Sequence, residues 1–336
     1  MIGPHPWLPT LRGQPTALAI LRRGLASSRL HHALLFDGPD GVGKTLAAFG
    51  LAQALVCDRR AAGVADACGQ CTACLRSVPR GDAKTTLHPD VTVIERGLYD
   101  AAVINRRTPE TQEISIDQIR TLVLTRAAFP PHEGHAKVFV VQRAEELSMA
   151  AANALLKTLE EPGPRTHFVL LSSAAESLLP TIRSRTLRIR FGALPDAVVA
   201  DLLVERGVDR TQAIAVAALS VGSMSTALAL GDSERAALRE QFVARAISAL
   251  EARDSGGVFD LAEDSKKVAK DEVIVQLRAL AAALATSGRS SAGDPDARAD
   301  VATARFVLAL AAIDQIEANA SVQLAVESML LRMRSA

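Results

Sequence analysis

Aromatic residues are scarce in this chain: one Trp, one Tyr and nine Phe make up 3% of 336 residues. With so few aromatic faces, a platform for stacking successive bases of a single strand is not expected. An excess of charge is missing too. Thirty-eight Lys and Arg stand against 37 Asp and Glu, a net charge of +1. Composition therefore neither demands nor excludes nucleic acid, and any basic surface must be local. No run of about 18 apolar residues occurs, so no membrane span is expected. The opening MIGPHPWLPT lacks the basic stretch and apolar core of a secretory signal. Cysteine is rare, and all four residues lie between 57 and 74. That clustering argues against a disulfide framework and for a metal site in a reducing compartment, with the cytoplasm as the expected location.

Hydrophobic residues are abundant, at 49%, enough for sizeable cores. The length suggests two or three domains. Up to Phe191 short apolar runs alternate with helical patterns. HALLF (32–36), VTVI (91–94), KVFVV (137–141), THFVLLSS (166–173) and LRIRF (187–191) read as strands. TLAAFGLAQALVC (45–57), ISIDQIRTLVLTRAAF (114–129) and SMAAANALLKTLEEP (148–162) read as helices. Ser115 or Asp117 is the expected cap of the second, and Ser148 of the third. Residues 57–81 read as a loop-dominated insert and 95–113 as a polar excursion. After Phe191 no strand-like run follows. Three short helices are expected, then long Ala/Leu-rich ones interrupted at ARDSGG (252–257) and SGRSSAGDPDARAD (287–300).

Between the first strand and helix stands GPDGVGKT (38–45), which fits the phosphate-loop pattern G-x-x-x-x-G-K-[ST]. Gly38, Gly41 and Gly43 let backbone N–H groups converge on an anion, and the helix that follows adds its dipole. Lys44 would meet the β- and γ-phosphates, and Thr45 would place a hydroxyl on Mg2+. The bland alternative is a chance Gly-rich turn. Hydrolysis needs an acid at a strand end to hold the metal. After KVFVV the chain continues Gln142-Arg143-Ala144, and neither Gln142 nor Arg143 can serve. Glu145 and Glu146 come later and read as a solvated face.

Cys57, Cys68, Cys71 and Cys74 are spaced C-x10-C-x2-C-x2-C. Two C-x2-C steps let the chain wrap a tetrahedral ion, and four thiolates would make a closed structural zinc site. An iron–sulfur cluster and free thiols are the alternatives. His88, in HPD, reads as part of a turn before a strand rather than as a fifth ligand.

HALLFDGPDGVGKT (32–45), the cysteine insert ending in HPDV (88–91), ANALLKTLEEP (152–162) and LLPTIRSRTLRIRF (178–191) together resemble the clamp-loader branch of the AAA+ ATPases. Within it the chain is most similar to the delta-prime subunits of bacterial DNA polymerase III. The motifs cover roughly residues 10–230. The resemblance implies an α/β P-loop AAA+ domain with a parallel sheet (1–192, with the zinc insert at 57–81), a small helical lid (193–235) and an all-helical collar (236–336). It implies ATP or ADP as ligand, with Mg2+, and structural Zn2+. Its partners would be gamma/tau and delta subunits in a pentameric ring, and through the ring a sliding clamp and primer–template DNA.

The resemblance also assigns residues. Ser184-Arg185-Thr186 occupies the place of the Ser-Arg-Cys motif, whose arginine reaches into the next subunit's nucleotide site. Active ATPase subunits carry Asp-Glu where this chain has Gln142-Arg143, and an arginine where it has Ser225. The expectation is therefore a subunit that holds nucleotide without cutting it and offers Arg185 to a neighbour. The alternative is an active gamma/tau-type ATPase with Glu145 or Glu146 as substitute acid. A third reading, a free-standing zinc-containing DNA-binding protein, is disfavoured by the near-neutral charge. Asn153 and Lys157, one turn apart, could face the DNA backbone or simply solvent, and Ser172 and Ser173 stand where the family places a γ-phosphate sensor. No polymerase carboxylate pair is present, so the chain itself is not expected to polymerise DNA.

Overall fold

The computed structural model of the chain describes residues 5–81, 83–104, 113–252, 254–290, 298–317 and 320–335. Contacts divide it into two compact units, Met1–Pro195 and Asp196–Ala336.

The first unit is built on five parallel strands: β1 (Ala33–Asp37), β2 (Val91–Ile94), β3 (Lys137–Val141), β4 (Thr166–Ser172) and β5 (Leu187–Arg190). Their spatial order is β2-β3-β4-β1-β5. Helices cover both faces, which is why the strands read as continuous apolar runs rather than alternating ones. The two-residue period still sorts the side chains. Leu34, Phe36, Val138, Val140, Val169 and Leu171 enter one core with α1 (Pro15–Ala26) and α2 (Lys44–Val56). Leu35, Phe139, Val141, Phe168 and Leu170 enter the other, with the helix at 116–127 and the Met149–Glu160 helix. β5 closes one edge. Only Ile189 of its four residues is buried, and its arginines face outward, which protects the edge from further pairing.

Local chemistry sets the helix boundaries. Ser115 is the cap that forms: its hydroxyl accepts the Gln118 N–H while the Gln118 side chain accepts the Ser115 N–H. Ser148 Oγ accepts the Ala151 N–H at 3.2 Å. The middle of the 116–127 helix, Ile119–Leu124, is π-helical. Apolar spacing carried no sign of that wider turn. α2 is apolar all round and accordingly buried from Ala47 to Val56. The insert at 57–81 contains one short helix, α3 (Thr72–Arg76). Of the 95–113 excursion, Ile104 is buried, and residues 105–112 lie outside the described residues.

The HPD turn precedes β2 as expected, and its aspartate has a further task. Asp90 accepts the N–H groups of His132, Glu133 and Gly134 at 2.6, 2.8 and 2.8 Å. Burial pushes the Asp90 carboxyl up, but these donors outweigh it and hold the pKa below the ordinary carboxylate value. Lys137 anchors the same loop, donating to the carbonyls of Arg126, Phe129 and Pro130. Asp90→Asn is expected to destabilise the unit by about 2 kcal/mol, as loss of charge-assisted hydrogen bonds does. Because the folded pKa lies below the unfolded one, this contribution is complete above about pH 4 and fades as the pH falls through the folded value. Urea unfolding of both proteins should therefore show their difference shrinking in acid. A pH-independent difference would contradict this account.

Among its described residues the second unit has helices and no strand. Asp196–Val204, Arg210–Leu219 and Met224–Gly231 precede Ser233–Glu251, Gly256–Lys266, Lys270–Ser290, Arg298–Glu317 and Val322–Ser335. Phe242, Leu261, Leu277, Leu280, Ile313, Met329 and Leu330 lie in its core. Buried Arg239 donates to the carbonyls of Ala229, Leu230 and Asp232, tying the last short helix to the first long one. The expected interruption near 252 is present; of the second, residues 287–290 and 298–300 are helical, and 291–297 lie outside the described residues. A further break at 267–269 carried no strong sequence signal.

Candidate nucleotide and metal sites

The phosphate loop leaves the carboxyl end of β1, where ligands of open α/β sheets bind. Gly43, at φ +102°, takes a left-handed conformation that turns the chain into α2, and Gly41 has φ +77°. At Gly38 the need for glycine is steric: a Cβ would lie 2.1 Å from the Phe191 carbonyl oxygen. Lys44 is the first residue of α2 and only 6% exposed. Its ammonium donates to the carbonyls of Gly38 and Pro39 and to Asp40 Oδ1, folded back over its own loop. Burial pushes its pKa below the ordinary value, and the Asp40, Glu145 and Asp37 carboxylates pull it partly back. Its one carboxylate partner, Asp40, is largely exposed, so an incoming phosphate would add negative charge beside this buried cation. Thr45 is exposed at the loop.

Around the loop, Gln142 follows β3 with no acid at the strand end, as expected, and the Gln142 N–H donates to the Ile94 carbonyl. Glu146 pairs with Arg96 at 3.2 Å and Arg143 at 3.5 Å. Glu145 departs from the expected solvated face. Its Oε1 accepts the Ser173 N–H at 3.2 Å and the Ser173 hydroxyl at 2.8 Å. Its Oε2 is buried without a hydrogen-bond partner. Ser172 is buried, its carbonyl accepting the Gly38 N–H at 3.2 Å. The two serines thus divide their work, one bracing the loop and the other holding Glu145. Sequence reasoning also passed over Gln14. It is buried, and its Nε2 donates to the carbonyls of Val42 (3.2 Å) and Gly192 (2.6 Å), bracing the loop from α1. A lone glutamine before a helix carries no motif, so only its contacts reveal it.

All four cysteines come together, with their sulfur atoms within 4.8 Å of one another. Cys57 follows α2, Cys71 caps α3 and Cys74 lies inside it. A tetrahedron of Zn–S bonds of 2.3 Å has sulfurs about 3.8 Å apart. Cys68 Sγ and Cys74 Sγ lie at 3.8 Å. N–H groups of Cys68, Cys71 and Cys74 point at the preceding cysteine's sulfur at 3.4 Å, the donor set that thiolates require. Burial raises the Cys57 and Cys74 thiols. It also opposes ionisation of Cys68, but the Gln70 and Cys71 N–H groups and neighbouring thiols bring that one down to about 6. The cluster fits a closed four-thiolate zinc site. His88 is not among its members.

Arg185 sits two residues before β5, whose Leu187 pairs with Leu34 near the start of β1. It therefore occupies the amino edge of the sheet, away from the loop at the carboxyl edge. Its Nε donates to Glu160 Oε1 at 2.6 Å, and Nη1 donates to the Thr181 carbonyl at 3.0 Å. Thr186, in place of the motif's cysteine, bonds the Ile182 carbonyl. With His31, His32, Leu159, Glu160 and Ser184, Arg185 lines an open cavity of about 480 Å3. Asn153 and Lys157 are exposed on the Met149–Glu160 helix. In the second unit, Ser225 shares a hydrogen bond with Ser223, the cap of Met224–Gly231.

A family model described as DNA polymerase III, delta subunit, matches residues 13–195. The chain is 32% identical over 195 residues to the DNA polymerase III subunit delta' of Bacillus subtilis, covering 58% of this chain and 52% of that one. It is 40% identical over 161 residues to the delta' subunit of Pseudomonas aeruginosa, covering 47% and 42%. It is also 35% identical over 191 residues to the gamma/tau subunit of Mycobacterium bovis, covering 57% and 29%. The chain thus spans about half or less of the length of these curated relatives. Matched over more than half its length, and carrying a phosphate loop on a five-stranded parallel sheet, the chain belongs to the DNA polymerase III delta subunit family.

Proposed function

We propose that the chain is the non-hydrolysing subunit of a cytoplasmic DNA polymerase III clamp loader. It binds ATP or ADP on Lys44 and the loop glycines, with Mg2+, and holds structural zinc on its four cysteines. Residues 193–235 act as a lid, and 236–336 join gamma/tau and delta subunits in a pentameric collar. The ring loads a sliding clamp on primed DNA, which makes replication processive. The observation that carries this reading is the separation of two features on one sheet. The phosphate loop lies at the carboxyl edge beside a β3 end with no acid, while Arg185 lies at the amino edge beside an open cavity. An arginine so placed serves a neighbour's nucleotide, where its charge stabilises the transferring phosphate. Lys44→Ala should weaken ATP binding by the whole chain about 10–100-fold, the value of a charge-assisted contact, read by fluorescence titration. Unchanged affinity would remove the phosphate loop from the function.

One observation favours the active gamma/tau-type reading: Glu145 is held at the end of β4 by Ser173, next to Ser172, whose carbonyl accepts the Gly38 N–H of the phosphate loop. Steady-state hydrolysis by the purified chain, abolished by Glu145→Gln, would establish that reading instead.

A further inference from the structure

After β3 the chain turns abruptly. Arg143 adopts a left-handed conformation, φ +47°, which residues with a Cβ seldom take. One short turn, Ala144–Glu146, follows and carries Glu145 back to the end of β4. There the Ser173 N–H and hydroxyl both grip Oε1. Oε2 is left buried with no donor. A carboxylate held by one oxygen, with the other unsatisfied, calls for a cation or a donor from a ligand.

The neighbouring acids are otherwise occupied. Asp37 takes the Arg188 guanidinium, with Nε at 2.8 Å. Glu146 takes Arg96 and Arg143. Asp40 already accepts from Lys44 and is largely exposed. Glu145 thus combines three properties: a fixed orientation, an unsatisfied oxygen, and a place beside the phosphate loop, since its partner Ser173 follows Ser172, whose carbonyl accepts the Gly38 N–H.

We propose that Glu145 is the metal-side carboxylate of the phosphate site, holding the Mg2+ that accompanies bound nucleotide, with Ser173 as its positioning residue. The acid absent at position 142 is thereby supplied from position 145, by a turn rather than by the strand itself. Mg2+ is bound by one or two carboxylates together with phosphate oxygens and retained waters, so a single carboxylate suffices to make nucleotide binding metal-dependent. The inference rests on nucleotide binding at the phosphate loop and deepens it. It requires no hydrolysis: a carboxylate that holds the metal need not orient an attacking water.

The test uses the full chain and a fluorescent ADP, titrated with Mg2+ present and with the metal removed by EDTA. The wild-type chain should bind more tightly with Mg2+. In Glu145→Gln that advantage should disappear, while metal-free affinity stays the same or rises because a negative charge has left the site. Ser173→Ala should raise the Mg2+ concentration needed about 10-fold, as loss of a partner that orients a ligand does. Glu146→Gln should keep the wild-type response, and retained metal-free affinity in every variant reports that it is folded. Binding that does not depend on Mg2+ in the wild type, or a full Mg2+ advantage in Glu145→Gln, would overturn the role of Glu145 and leave the phosphate loop intact. No nucleotide binding under either condition would overturn the phosphate-loop reading, and the metal role with it.

Discussion

In a loader reconstituted from all its subunits, Arg185→Ala should lower ATP turnover by about 10³-fold or more at each site that Arg185 is proposed to complete, the scale on which an arginine supplied in trans acts. The ring should still assemble, because Arg185 is half-exposed and its contacts are with Glu160, Thr181 and Ser184 at the surface of the same unit. Arg185→Lys should recover little. A lysine keeps the charge but lacks the planar fork that meets two phosphate oxygens at once. Glu160 would keep the proposed finger ready. It holds the guanidinium at the end of the Met149–Glu160 helix, from which a stronger anion would draw it. Turnover measured at saturating ATP and DNA, alongside size-exclusion analysis of the assembled ring, separates chemistry from assembly. Normal turnover with Arg185→Ala would take this residue out of the mechanism.

The second large effect concerns the cysteines. Metal analysis of the purified chain should find one zinc per chain, and stripping it should lower the melting temperature by about 10–20 °C. Structural zinc contributes strongly to folding. A loss on the order of 5 kcal/mol, even well below the values for isolated zinc fingers, moves a unit of this size by that amount. The physical reason is the cluster's position. Cys57, Cys71 and Cys74 are part of the same core as Leu34, Phe36 and α2, so four mutually repelling or unpaired thiols would disturb the sheet's own packing. Cys74→Ser should reproduce the effect, since Cys74 is fully buried and a serine is a far weaker zinc ligand. Iron in place of zinc, or a melting temperature unmoved by removal of the metal, would contradict the assignment.

How legible these features were follows from the range of the forces involved. The phosphate loop is one contiguous stretch, with a glycine wherever the backbone needs one. The C-x2-C steps are local geometry, and caps such as Ser148 act over three residues. Each of these can be read from neighbours in the chain. Asp90 and Gln14 cannot. Asp90 bonds a loop more than forty residues away, and Gln14 spans 178 residues to reach Gly192. Neither residue type announces such a bond. Glu145 is the sharpest case. Its place in AEELS suits a solvated helix start, and only the left-handed Arg143 and the arrival of Ser173 from β4 turn its carboxylate inward.

By itself, the sequence determined the alternation of strand and helix in the first unit, the helical character of the second, the phosphate loop and the tetrad of cysteines. All of these rest on periodicity or on spacings of a few residues. Tertiary structure alone decided which acid is held at the end of β4, what braces the phosphate loop, and that Arg185 stands at the opposite edge of the sheet. Those depend on strand order and register. β1 lies between β4 and β5, strands that follow it by more than a hundred residues. A parallel sheet assembles its functional edges from residues the chain keeps far apart, so which of them meet is settled only when the strands pair.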